Sequence, residues 1–221
     1  MYKNFIKRLI DIILSSIAII LLVLPMLIVA IAIKIDDPGP VLFKQKRVGK
    51  KKNDELTYFM IWKFRSMKMN TPHDTPTHLL ENPEQYITRV GKFIRKTSID
   101  ELPQVYQVFT GKLSLVGPRP ALWSQYDLIA EREKYGANDI IPGITGWAQI
   151  NGRDELEISV KAKFDGEYTA ALNSGFFNGM AMDIKCLFRT VKAVVKADGF
   201  VEGNVTELDE KTENKEETVS K

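Results

Sequence analysis

Two carboxylates stand side by side at Asp100-Glu101, and the proline that follows at Pro103 says what backbone they belong to. Proline has no N–H to donate, so it sits comfortably in the first turn of a helix, where N–H groups have no intrahelical partner. Leu102, Val105, Tyr106 and Phe109 then recur at helical spacing, and Gly111 is a natural stop. Asp100 therefore falls at or near a helix N-terminus. One reading is structural: Asp100 caps the helix, or Ser98 and Glu101 form a capping box. The other is chemical, because a helix start also favours an anionic ligand. Downstream, Arg119 stands between Pro118 and Pro120. An inert scaffold has no need of an Asp-Glu pair followed by an arginine-bearing Pro-Arg-Pro element, yet spacing alone leaves both readings of Asp100 open.

Other chemistries are excluded more sharply. Cys186 is the single cysteine, so there is no disulfide framework and no thiolate cluster, and a reducing, cytosol-facing domain is expected. His73 and His78 are five residues apart in a Pro-rich stretch, which is not the spacing of two ligands on one helix face. The net charge of +3 hides an acidic C-terminal tail, and the rest of the chain carries +6. A basic body suits lipid head groups, phosphates or nucleic acid, and charge by itself does not choose.

The elements that must hold these residues begin with a long apolar segment. Ile12 to Ile33 contain no charged side chain, and a straight helix of that length reaches about 33 Å, enough to cross a hydrocarbon core. Pro25 sits in its middle and should kink it. Lys3, Lys7 and Arg8 precede the run, and Lys34, Lys44, Lys46, Arg47 and Lys50 to Lys52 follow it, so both flanks look cytoplasmic. A helix that enters and leaves by one leaflet satisfies both flanks; a kinked spanning helix is the other topology the segment allows. After Pro38-Gly39-Pro40, the stretches 41–43 and 58–64 read as two strands joined by a basic turn, with Lys50 to Lys52 as a solvated tip. Residues 70–85 read as a loop. Ile184, Leu187, Phe188, Val191, Val194 and Val195 share one helix face and Lys185, Arg189, Lys192 and Lys196 the other, which fits either a membrane-surface helix or a helix packed on the core. Residues from about 203 onward have the composition of a disordered tail.

Three longer stretches carry a resemblance. Arg95-Lys96-Thr97-Ser98-Ile99-Asp100-Glu101-Leu102-Pro103-Gln104, Leu113-Ser114-Leu115-Val116-Gly117-Pro118-Arg119-Pro120 and Pro142-Gly143-Ile144-Thr145-Gly146-Trp147-Ala148-Gln149 resemble, in order, the bacterial sugar transferase family. The likeness runs from Tyr2 to about residue 200 and includes Lys63-Phe64-Arg65-Ser66-Met67. Within the family the chain is similar to the small monotopic phosphoglycosyl transferases, without the multi-span N-terminal region of larger members. The resemblance implies a re-entrant helix broken near Pro25, a nucleophilic Asp100 followed by Glu101, Mg²⁺ at Asp100, and phosphate contacts from Arg95, Arg119 and Lys63.

Those roles make chemical sense. A carboxylate attacking phosphorus gives an acyl phosphate and divides one displacement between poorly mixing substrates into two steps. Arginine forks and a hard cation with oxygen ligands suit the developing phosphate charge. The expected fold is α+β: a membrane-embedded re-entrant helix (1–36), a small, mainly helical cytoplasmic domain with surface amphipathic helices (37–202), and the tail (203–221). The expected reaction moves a phosphosugar from a UDP-sugar to undecaprenyl phosphate and releases UMP, at the cytoplasmic face of the bacterial inner membrane, with membrane lipids and no nucleic acid as partners. A membrane-bound glycosyltransferase would instead release UDP, and a scaffold would turn nothing over. The sugar is not specified; positions 121–139 are the candidates for selecting it.

Overall fold

An apolar run of this length favours burial, and helix α1 (Lys7–Asp36) buries one face and leaves the other exposed. The computed structural model describes residues 2–71, 82–152 and 156–195, so His73, His78, Lys196 and the tail lie outside the described residues. A short π-helical turn, Tyr2–Ile6, leads into α1. One face of α1 carries the buried Asp11, Ser15, Met26 and Ile33. The opposite face carries Ile13, Ile17, Ile20, Leu24, Leu27 and Ile31, all exposed. Tyr2–Asp36 is long and apolar enough to cross a membrane. Pro25 lies inside the helix without interrupting it, so the break expected there is not found. Its neighbours Leu22 and Met26 pack against the domain instead.

Docking runs the whole length of α1. Near its start Arg8 donates to the Val108 and Phe109 carbonyls at 2.6 and 2.7 Å, and Asp11 Oδ1 accepts the Leu115 N–H at 3.0 Å. At its end Asp36 Oδ2 accepts the Val90 N–H at 2.9 Å.

The two expected strands form an antiparallel hairpin, β1 (Leu42–Val48) and β2 (Tyr58–Phe64), with Lys44 opposite Trp62 and Arg47 opposite Phe59. Strand alternation gives it two faces. Lys44, Lys46, Trp62 and Tyr58 share one, where the lysines stack over the rings. Arg47, Ile61 and Lys63 share the other. Lys51, expected at a solvated tip, pairs instead with Glu133 and lies 3.7 Å from Asp139. Helix α2 (Arg89–Lys96) starts at Thr88, whose hydroxyl accepts the Gly91 N–H at 2.9 Å. A Cβ at Gly91 would lie 1.9 Å from the Ser66 carbonyl oxygen, so only glycine lets α2 sit this close to the end of the hairpin.

Helix α3 (Gln104–Phe109) and a 3-10 turn before it, Ile99–Glu101, follow. The periodicity selected Leu102, Val105, Tyr106 and Phe109 as the inner face; the structure buries Gln104, Val105, Gln107 and Val108 and exposes Tyr106 and Phe109. Gln107 explains the rotation. Its carboxamide accepts the Trp62 N–H at 2.9 Å and donates to the Met60 carbonyl at 2.7 Å, so it completes the edge of β2.

Strands β3 (Ser114–Val116) and β4 (Gly143–Thr145), which the sequence did not reveal, pair in parallel. They are very short, and Gly143 is needed because a Cβ there would lie 2.1 Å from the Gly117 nitrogen. Helix α4 (Tyr126–Glu133) packs on α5 (Ile158–Asn173) through a buried Arg132–Asp165 pair at 2.6 Å. Helix α6 (Phe176–Val195) closes the described chain. Its inner side presents Asp183 and Cys186, while Ile184, Phe188 and Val191 are exposed. Part of the apolar stripe of α6, Ile184, Phe188 and Val191, therefore faces outward, while Leu187 packs against the core.

Candidate functional site

Ser98 adopts the left-handed region at φ 56°, and this bend turns the chain from α2 into the 3-10 turn that carries Asp100 and Glu101. Ile99 and Leu102, on either side of the pair, pack with Phe64 and Ile94 and hold the turn down. Asp100 is 8% exposed. The capping-box reading fails here. Ser98 makes no side-chain cap, its hydroxyl is buried without a hydrogen-bond partner among the described residues, and Glu101 turns elsewhere.

Glu101 meets two cations. Lys63 Nζ, from the inner face of β2, lies 2.9 Å from Glu101 Oε1 and 3.9 Å from Asp100 Oδ2. Arg119 Nη2, from the segment after β3, lies 3.0 Å from the same Glu101 oxygen. Burial alone would raise the Glu101 carboxyl, but the nearby charges of Arg119 and Lys63 and their hydrogen bonds outweigh it and hold the group well below the usual carboxylate range. Glu101 is thus a fixed anion that aligns two cations beside Asp100.

A small cleft adjoins this cluster, lined by Arg47, Ile61, Lys63, Gln104, Arg119 and Pro120. Arg47 Nη1 donates to the Pro120 carbonyl at 3.0 Å and Nη2 to Gln45 Oε1 at 2.7 Å, so β1 braces the Pro-Arg-Pro segment. The expected residues Asp100, Glu101, Lys63 and Arg119 are brought together. Arg95, in the last turn of α2, is half buried and is not among the residues lining the cleft. Pro25 belongs to α1 and plays no part in it. Arg47 and Gln104 were missed. Arg47 could have been found by continuing the hairpin register, since it shares strand parity with Lys63 across the pair. Within positions 121–139, Leu128, Ile129, Arg132 and Asn138 are buried, while Trp123, Tyr126 and Tyr135 are exposed.

The donor set fits a hard divalent cation only in one way. No group of three or more His, Cys, Asp or Glu side chains that could cage a metal occurs among the described residues. Glu101 is engaged by Lys63 and Arg119, and the second carboxylate, Asp100, lies 3.9 Å from Lys63. Mg²⁺ commonly takes one or two carboxylates and completes its shell with substrate phosphate and water, and Asp100 suits that arrangement.

Comparison with known proteins gives a consistent result. The family described as bacterial sugar transferase matches residues 2–197. The chain is 40% identical over 203 residues to the UDP-glucose:undecaprenyl-phosphate glucose-1-phosphate transferase of Escherichia coli K12, covering 86% of this chain and 40% of that protein. It is 38% identical to the UDP-N-acetylgalactosamine-undecaprenyl-phosphate N-acetylgalactosaminephosphotransferase of Aeromonas hydrophila, covering 88% of this chain and 45% of that one. It is 40% identical to the uncharacterized sugar transferase EpsL of Bacillus subtilis, covering 75% of each. The chain thus spans less than half the length of the first two relatives.

Proposed function

The chain belongs to the bacterial sugar transferase family, and from that premise we propose that it transfers a phosphosugar from a UDP-sugar to undecaprenyl phosphate, with release of UMP. One observation carries the reading: a buried Asp100 stands beside two cations, Lys63 and Arg119, that a fixed Glu101 aligns at the edge of a cleft. The relatives' names supply the substrate class.

In the first step an Asp100 oxygen attacks the sugar-bearing phosphorus. A carboxyl-to-phosphorus bond forms, the bond from that phosphorus to the bridging oxygen breaks, and UMP leaves with the bridging oxygen and its electron pair. In the second step an oxygen of the lipid phosphate attacks the same phosphorus, the acyl phosphate breaks, and the Asp100 carboxylate is restored. Lys63 and Arg119 answer the charge that grows on the phosphoryl oxygens. Glu101 positions them, held ionised by their charges. Arg95 contributes positive charge from the end of α2. Mg²⁺, held by Asp100 together with phosphate oxygens, would supply further charge neutralisation, and EDTA should then abolish turnover reversibly; full activity in EDTA removes the metal from the scheme.

The covalent step is the discriminating one. Enzyme and UDP-sugar without lipid should release UMP in stoichiometric amount, and the intact mass should rise by one phosphosugar, mapped to Asp100. Release of UDP instead would identify direct glycosyl transfer. Retention of the adduct by Asp100→Asn would remove Asp100 as nucleophile.

A one-leaflet placement of α1 at the cytoplasmic face of the inner membrane belongs to the same proposal. Its support is that Arg8 at one end and Asp36 at the other bond to the same domain. A spanning helix would have to carry part of that polar domain into the hydrocarbon. Ile184, Phe188 and Val191 of α6 offer a second apolar surface to the lipid. A cysteine in place of the exposed Asn4 should be labelled only from the cytoplasmic side, and periplasmic labelling would overturn this placement.

A further inference from the structure

Two glutamines stand one helical turn apart on α3, and their surroundings differ completely. Gln107 is saturated, accepting from Trp62 and donating to Met60. Gln104 is 2% exposed, and its Nε2 has no hydrogen-bond partner among the described residues. Burying an amide N–H without a partner is worse for the fold than removing the group altogether. A helix position that could hold leucine or methionine instead holds a group that costs stability.

Location gives the reason. Gln104 lines the cleft with Arg47, Lys63 and Arg119, so the surface it shares is cationic and donor-rich. It follows Asp100 by four residues along a nearly continuous helical run, since Leu102 and Pro103 are both helical in φ and ψ; residues so spaced lie on one side of a helix. A neutral N–H among cations beside the proposed nucleophile points at the same kind of atom the cations do.

We propose that Gln104 is a substrate-binding residue whose carboxamide N–H donates to a phosphoryl oxygen of the nucleotide sugar. This rests on the phosphotransfer reading above. The amide N–H donates along a fixed direction without carrying charge, so it adds direction to a site otherwise held by charge alone.

The test uses the full chain in detergent or nanodiscs, with a panel of UDP-sugars and undecaprenyl phosphate, and compares Gln104→Leu, Gln104→Met and Gln107→Leu. Both Gln104 variants should lower kcat/KM by about ten- to a hundred-fold, as loss of a hydrogen bond to a charged group does, while the unfolding midpoint stays level or rises. The factor should be the same for every sugar in the panel, because every donor shares the diphosphate. Gln107→Leu should lower the midpoint. A kcat/KM within two-fold of wild type for Gln104→Leu and Gln104→Met overturns the contact, as does a fall in midpoint for both. A loss confined to particular sugars overturns it too, because it moves the contact to the sugar. Should the wild type release UDP, the phosphotransfer reading fails separately. Gln104 is then judged by UDP-sugar binding: a Kd weakened about ten-fold in Gln104→Leu supports the contact, and an unchanged Kd overturns it.

Discussion

Two of the polar clusters among the described residues are built to opposite standards. Behind β3, Asp183 of α6 accepts the Tyr2 hydroxyl at 2.6 Å, the Lys7 ammonium at 2.8 Å and the Tyr168 hydroxyl at 2.8 Å. Burial, and then the Asp183 charge, push the Tyr168 hydroxyl well above its ordinary range, so it remains a donor at any working pH. The Val116 carbonyl oxygen lies 2.9 Å from the same hydroxyl, whose single proton is shared between the two acceptors. This network joins the start of α1 to α5, α6 and β3. The cleft beside Asp100 is different. Its cations converge on one side of Glu101, and Gln104 Nε2 is left without a partner among the described residues. A saturated network holds the fold; a cluster with capacity to spare is arranged for something that binds.

The widest separation between the clusters should come from changing one carboxylate in each to its amide. Asp100→Asn should lower turnover by about 10⁴-fold or more, the scale seen when a covalent nucleophile is lost. Its unfolding midpoint should stay near wild type, because asparagine keeps the shape of the side chain and an oxygen acceptor. Asp183→Asn should reverse the pattern. Removing one partner of a buried pair costs about 3 to 5 kcal/mol, so a denaturant titration should show a large fall in stability, with activity per folded molecule kept. Comparable losses of both activity and stability in the two variants would erase the distinction.

A smaller effect sharpens it. Glu101→Gln should slow UMP release by about a hundred-fold, in the range lost with one aligned electrostatic group, yet still allow the adduct at Asp100. Because the Glu101 pKa is depressed in the fold, its stabilisation is fully present above the ordinary glutamate range and is lost only as pH falls through the folded value. Stability from this group should therefore be flat between about pH 5 and 8. A titration of activity in that window that vanishes in Glu101→Gln would assign a proton-transfer role to Glu101.

Much of this was legible in the chain itself, and the failures share a cause. The Asp100-Glu101 pair, Lys63 and Arg119 were identified without structure, and they do assemble. The hairpin followed from strand composition bounded by turn residues. The inner face of α3 was misread, because periodicity counts apolar residues and Gln107 is buried to bond the edge of β2. The stripe on α6 was ambiguous for a similar reason, since amphipathicity gives the direction of an apolar face and not what covers it. Strands β3 and β4 left no pattern because three residues are too few to alternate visibly. Lys51 looked like solvent-facing charge until α4 supplied Glu133 from far along the chain.

The amino-acid sequence by itself determined the apolar length of α1, the positive flanks, the carboxylate pair and the order of the motifs, because these depend only on residue type and local spacing. The tertiary structure decided what each group meets. It chose the cleft over the cap for Glu101, docked both ends of α1 on one domain, brought Arg47 to Pro120, and left Gln104 unsatisfied while saturating Gln107. Those outcomes turn on contacts between residues distant in sequence, where desolvation and partner geometry outweigh local propensity.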